Sequence, residues 1–202
     1  MTALILMEAG YDPTVIIGTK LKEFGSPSTS SGTKYGTPRA KSRGYTSASN
    51  FRKGFSGWLV LEADEWKAAF LNYHPYVATI TNVDKEHLDF YKNFANVKKT
   101  FEQFKERCEA VVERSTDPKL AAEIKRILKI PGDHNISNAL NAYAVAEYVG
   151  IPKATILKAL SKYEGAWRRM EYRGKFKIEK LKLKINLFDD YAHHPSEIKA
   201  TL

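Results

Sequence analysis

The sequence predicts an α/β fold, a mostly parallel sheet flanked by helices, followed by the start of a smaller α/β unit. Three observations point there. Two continuous apolar runs, Trp58–Ala63 (WLVLEA) and Val77–Val83 (VATITNV), are bounded by polar residues, as strands buried on both faces are. Helical periodicity alternates with these runs, and that alternation favours parallel pairing. Beyond Met170 the apolar period becomes two, the pattern of strands with one solvated side.

Taken in order, residues 2–9 read as an apolar helix ended by Gly10, and Thr14–Ile17 as a short β-branched strand. Residues 26–48 are rich in Ser, Thr, Gly and Pro and almost without aliphatics. Such a stretch cannot bury enough surface to offset its chain entropy, so it reads as an inserted flexible loop. After the two apolar runs, Asn96–Cys108 is helical in pattern, Val111–Val112 is a short strand, and Pro118–Leu128 is a charged amphipathic helix. SNALNAYAVAEYVG is an Ala-rich helix that stops at Gly150; Pro152 opens the next, which ends near Gly165. Phe176 and Ile178 alternate with lysines, and Leu181, Leu183, Ile185 and Leu187 alternate in the opposite phase. The flip near Glu179–Lys180 marks a turn or bulge between two strands, with the lysines on one solvated face. A boundary between Tyr163 and Tyr172 divides the chain into 1–165 and 166–202.

Composition narrows the function. With 43% hydrophobic and 12% aromatic residues the chain has material for a core. No apolar run approaches a membrane span, and MTALILMEAG lacks the basic start and cleavage site of a signal peptide. A cytoplasmic protein without membrane insertion is expected. The single cysteine, Cys108, excludes an intrachain disulfide and a cysteine-built zinc site. The net charge of +9 suggests a nucleic-acid partner, but Phe24–Leu61 holds six basic residues and no acid, leaving only +3 elsewhere. Nucleic-acid contact is therefore not the favoured reading, and only the basic stretch 26–53 offers it.

Four constellations can carry chemistry. Glu62, Asp64 and Glu65 follow a buried strand, where ligands of open α/β sheets bind, and form either a hard-cation site or a solvated loop. Asn82–Asp89 ends the next strand, and His87 converges on Glu62 if the strands are neighbours; otherwise it is a capping or core histidine. Asn135, Asn138 and Asn141 recur every three residues after Gly132-Asp133-His134. Amides suit the edge of a purine, though Asn135 alone would serve as a helix cap. Asp189-Asp190-Tyr191-Ala192-His193-His194-Pro195 is denser in titratable groups than turn chemistry requires. Its imidazoles suit metal, phosphate or sugar.

GDHNISNALNAYAVAEYVGI, GAWRRMEYRG and DDYAHHPSEIKATL resemble the Mur ligase family, and LEADEWKAAFLNYHPYVATITNVDKEHLDFY resembles its central ATPase domain. The likeness covers nearly the whole chain outside the insertion. DYAHHP resembles the branch that adds L-alanine to UDP-N-acetylmuramate, or the similar murein-tripeptide recycling branch. This resemblance implies an ATP- and Mg²⁺-dependent amide ligase of peptidoglycan synthesis working through an acyl phosphate. It implies Mg²⁺ on Glu62 and His87, and adenine near His134, Asn135 and Asn138. Arg169, with Arg168, would face the phosphates, Asp190 the ribose, and Tyr191, His193 and His194 the phosphate or muramate end. By the same likeness, 1–165 is a partial central domain, and 166–202 a hinge and the beginning of a C-terminal ligase domain.

The departures are equally specific. No G-x-x-x-x-G-K-[ST] motif occurs; Gly18-Thr19-Lys20 and Gly32-Thr33-Lys34 lack the glycine spacing and the strand–helix context. By that likeness the family's UDP-sugar domain and most of its C-terminal domain are expected to lie outside residues 1–202, and the stretch from Cys108 to Pro131 is short. Trp66-Lys67 stands where Ser-Asp is commoner. The sequence therefore suggests an incomplete ligase that does not turn over by itself. The alternative is a non-enzymatic remnant or binding module.

Overall fold

The computed structural model describes residues 1–24, 48–178 and 183–202. The expected loop at 26–48, apart from Ala48, and the expected turn at Glu179–Lys180 lie outside the described residues. The fold is α/β, as the sequence predicts. Helix α1 (Thr2–Glu8) leads through Gly10, at φ +85°, into strand β1 (Thr14–Leu21). β1 pairs antiparallel with β2 (Ser49–Arg52) and parallel with β3 (Leu59–Leu61), in the order β2-β1-β3. The strand runs four residues beyond the β-branched segment, because β2 extends its pairing as far as Leu21.

One face of this sheet is covered. Val15 is fully buried and pairs with Val60, and α1 packs on α5 (Asp133–Tyr148) and α6 (Lys153–Lys162). With α4 (Pro118–Ile127) these helices enclose Ile5, Ile124, Ile156 and Leu160, each at most 1% exposed. Burial of each such side chain contributes about 1.5–3 kcal/mol. The other face is open: Ile16 lies opposite Phe51 and Leu61, and Leu59 is 56% exposed. WLVLEA is thus not buried on both sides, since the helix layer among the described residues covers one.

VATITNV is likewise shorter as a strand than its composition implies. Only β4 (Val77–Ala78) pairs, in parallel with β5 (Ala110–Val111), because that neighbour presents two residues. Thereafter Thr79 turns its hydroxyl onto Asn141 and the chain runs on as a loop to α2 (Leu88–Tyr91). Helix α3 (Phe94–Lys105), capped by Asn93, anchors the 3₁₀ segment Trp66–Asn72: Phe70 lies 5.0 Å from the Phe101 ring and 4.8 Å from Phe104.

The last unit is an antiparallel hairpin, β6 (Glu171–Ile178) and β7 (Leu183–Asp189), followed by α7 (Pro195–Thr201). The register places Phe176 with Ile185, and Ile178 with Leu183, on one face and Lys177 with Lys184 on the other. Both faces are exposed, so the lysines do not mark the solvated side alone. The segment before the hairpin is tied to β1: Trp167 N–H donates to Lys20 O at 3.0 Å, and the Thr19 hydroxyl to Trp167 O at 3.1 Å.

Candidate functional site

Strand ends position the acidic residues. Glu62 N–H extends the parallel ladder by donating to Ile16 O at 2.9 Å. That leaves the side chain beside β1, where Oε2 accepts from Gly18 N at 2.8 Å. A Cβ at residue 18 would stand 3.1 Å from Glu62 Oε1, so glycine keeps that oxygen open. Asp64 Oδ1 accepts from Trp66 N–H at 2.8 Å, a turn that closes the chain just after β3, beside Glu65.

His87 caps α2 from the left-handed region, at φ 53°. This conformation is costly for a non-glycine residue and aims its side chain back across the loop. Its ring rests 4.9 Å from that of Trp66, and Nε2 lies 3.2 Å from Glu65 Oε1 and 4.0 Å from Glu86 Oε2. Glu65, Glu86 and His87 each offer one ligand atom, all within 4.8 Å of one another. The Tyr91 hydroxyl bonds to the Glu65 carbonyl and fixes that end. Glu62 is not in this trio; among the described residues its side-chain partner is Gly18. In the sequence the strand-end carboxylates stand as a set, and their spacing does not single out Glu65 and Glu86 as the neighbours of His87. The adjacency of Glu86 to His87 was the available signal.

The last loop closes on the same place. Ser196 Oγ donates to Asp84 Oδ2 at 2.9 Å, and His194 Nδ1 lies 4.0 Å from Glu86 Oε1. The Lys85 backbone N–H and then the Ser196 hydroxyl hold the Asp84 carboxyl below its usual pKa. His194 also caps α7, while Glu197 accepts from the backbone N–H groups of His193 and His194 at 3.2 and 3.4 Å. Burial would raise the Glu197 pKa, but those N–H groups, then Arg169 and His193, outweigh it and leave it lowered.

Around this core the other expected residues take distinct places. Asp190 accepts from Met170 N–H and from Ala192 N–H, both at 2.7 Å, and so joins the hinge to the loop. Arg168 lies 3.3 Å from Asp189 and 5.0 Å over the Tyr191 ring; Arg169 reaches Glu197 at 3.7 Å. Tyr191 and His193 are exposed, their rings 5.2 Å apart. At the start of α5, Asn135 Nδ2 donates to Pro131 O at 2.6 Å, Asn138 is exposed, and His134 Nδ1 is buried without a partner among the described residues. The asparagines therefore divide: Asn141, 3% exposed, belongs to the interior.

The chain is similar to known proteins in sequence and in fold. The Mur ligase middle domain matches residues 1–127. The UDP-N-acetylmuramate–L-alanine ligases of Aquifex aeolicus and Caldicellulosiruptor bescii are 35% and 31% identical over alignments of 248 and 250 residues. Each alignment takes in all of this chain and 48% of the relative, so the chain spans about half the length of the curated relatives it matches. The crystal structure of the UDP-N-acetylmuramate–alanine ligase of Thermotoga maritima superposes with a TM-score of 0.69 at 24% identity, over 98% of this chain and 48% of that one. A murein peptide ligase of Psychrobacter arcticus gives 0.54 at 22%, over 99% and 50%. At those identities the structures speak for the fold alone. No helix among the described residues is long and apolar enough to cross a membrane. With the middle-domain match covering more than half of its residues, the chain belongs to the Mur ligase family.

Proposed function

We propose that these residues form part of a cytoplasmic ligase, dependent on ATP and Mg²⁺, that joins L-alanine to UDP-N-acetylmuramate in peptidoglycan synthesis. One observation carries the reading. The Asp84–His87 loop and the start of α7, 112 residues apart at Asp84 and Ser196, meet through a hydrogen bond. A metal-capable cluster thereby shares one wall with the His193-His194 loop. The alanine-adding relatives aligned to the whole chain supply the substrate class.

The donor set fits the ion. Mg²⁺ takes carboxylate oxygens and retains waters and substrate oxygens, and the Glu65–Glu86–His87 trio leaves room for those. Glu62 stands outside that trio, with Oε2 held by Gly18 and Oε1 open beside β1, so it would serve the bound ion or nucleotide from the neighbouring strand end. When bound, ATP would supply the γ-phosphoryl group that makes the muramate carboxylate an acyl phosphate with ADP leaving, Mg²⁺ would offset the phosphate charge, and the L-alanine amine would then attack the acyl carbon and expel inorganic phosphate. The chain's own part is positioning. Arg169, steadied by Glu197, offers positive charge to the phosphates, with Arg168 behind it. His134, Asn135 and Asn138 meet the adenine end at the start of α5. Asp190 spends both oxygens on backbone N–H groups, so it shapes the ribose wall rather than reaching out freely. Tyr191, His193 and His194 face the phosphate or muramate end. Residues 1–165 then serve as the central ATPase-type unit, and 166–202 as the hinge and the opening of the C-terminal ligase unit.

The test is ADP release by a hybrid in which residues 1–202 replace the matched span of the Aquifex aeolicus ligase. Release that needs L-alanine, UDP-N-acetylmuramate and Mg²⁺ together, and that falls roughly a hundredfold in His87→Ala, is expected. Turnover with a murein tripeptide but not with L-alanine would move the assignment to the recycling reaction. A folded hybrid inert with both would refute the enzyme reading.

A further inference from the structure

A cavity lies beside this wall, and no role in the ligase reading uses it. It encloses about 470 Å³ where the chain leaves β4 and β5, between α3 and α5. Ligands of α/β folds collect at such carboxyl ends of parallel strands. Ile80, Val83, Phe101, Val111 and Val112 make its apolar walls. Asn141 lines it too, although only 3% exposed. Its Oδ1 accepts from Thr79 Oγ1 at 3.0 Å, while its Nδ2 is buried with no partner among the described residues. Buried amide groups are almost always paired, so this one asks for an acceptor that the described residues do not supply.

The charged lining tells what else the occupant carries. Lys105 and Glu102 neutralise each other at 2.8 Å. That leaves Lys98 and Arg114 against Glu113. Arg114 lends one nitrogen to Ser137 Oγ at 2.7 Å; its guanidinium has further N–H donors.

We propose that this cavity binds a small, flat, anionic molecule: an aromatic carboxylate whose neutral acceptor meets Asn141 and whose carboxylate meets Arg114 and Lys98. The apolar walls enclose its ring. Binding here requires neither nucleotide nor metal, so the proposal stands or falls apart from the ligase reading.

The 202-residue chain is titrated with 4-oxoquinoline-2-carboxylate, which has a carbonyl at one end and a carboxylate at the other. Naphthalene-2-carboxylate lacks the carbonyl and 4-quinolone lacks the carboxylate. The first compound shifts the Asn141 side-chain amide resonances, and each analogue binds about tenfold more weakly. Asn141→Leu brings the first compound down to the affinity of the naphthoate, and Arg114→Gln, at an exposed position, weakens it about tenfold. Amide resonances that stay put, or a long-lived water that remains on Asn141 beside the probe, would overturn the proposal. So would equal affinity for all three compounds. Should Asn141→Leu fail to fold, the amide shift and Arg114→Gln decide.

Discussion

Glu197 is held at the start of α7 by several neighbours at once: two backbone N–H groups, the Arg169 guanidinium and the His193 ring. Its folded pKa is lowered from an ordinary value of 4.5. A lowered carboxyl pKa contributes stability that is fully present above the unfolded pKa and is lost as the pH falls through the folded one. The α7 cap is therefore expected to loosen below about pH 4.5, seen as lower protection of the amides at residues 195–201, relative to the intrinsic exchange rate at each pH, on going from pH 5 to pH 3. Glu197→Gln should remove most of that pH dependence and leave exchange in α6 unchanged. Equal pH dependence in the variant would show that other groups hold the cap. His87 is set by comparable local means: its left-handed backbone and the Trp66 ring define where its imidazole points.

Among the elements, α5 and α6 hold the helical layer under the sheet. Ile156 is fully buried in the cluster that includes Ile5, Ile124 and Leu160. Ile156→Ala removes apolar contacts and leaves a void that this rigid layer fills only in part. A loss of about 2–5 kcal/mol in urea unfolding is expected, with an unchanged m-value. A loss below about 1 kcal/mol would mean that the layer collapses easily around the site. These helices were legible in the sequence because their signals are local: Gly10 and Gly150 sit at φ +85° and +84°, and Pro152 immediately precedes α6. The strands were less so, because pairing depends on a distant neighbour. Nothing within VATITNV says that β5 offers only Ala110–Val111, and nothing within WLVLEA says that its second face stays uncovered.

Over the whole molecule, the site arises where separately coded segments meet. His87 and Glu62 stood out from strand-end position and family likeness. The closer partners, Glu65 and Glu86, emerged from the bend at Asp64 and the backbone of His87, which no residue pattern encodes. Asp84 with Ser196, and Glu86 with His194, then join the central unit to the last loop. A divalent cation is expected at this junction, and Mn²⁺ titration of the 202-residue chain followed by electron paramagnetic resonance reads it out. One bound Mn²⁺, displaced by Mg²⁺ and weakened roughly tenfold or more in His87→Ala and Glu65→Gln, is the predicted result. Mn²⁺ bound equally well by a folded His87→Ala chain, or not bound by the wild type at millimolar concentration, would show that the Glu65–Glu86–His87 cluster is not a cation site.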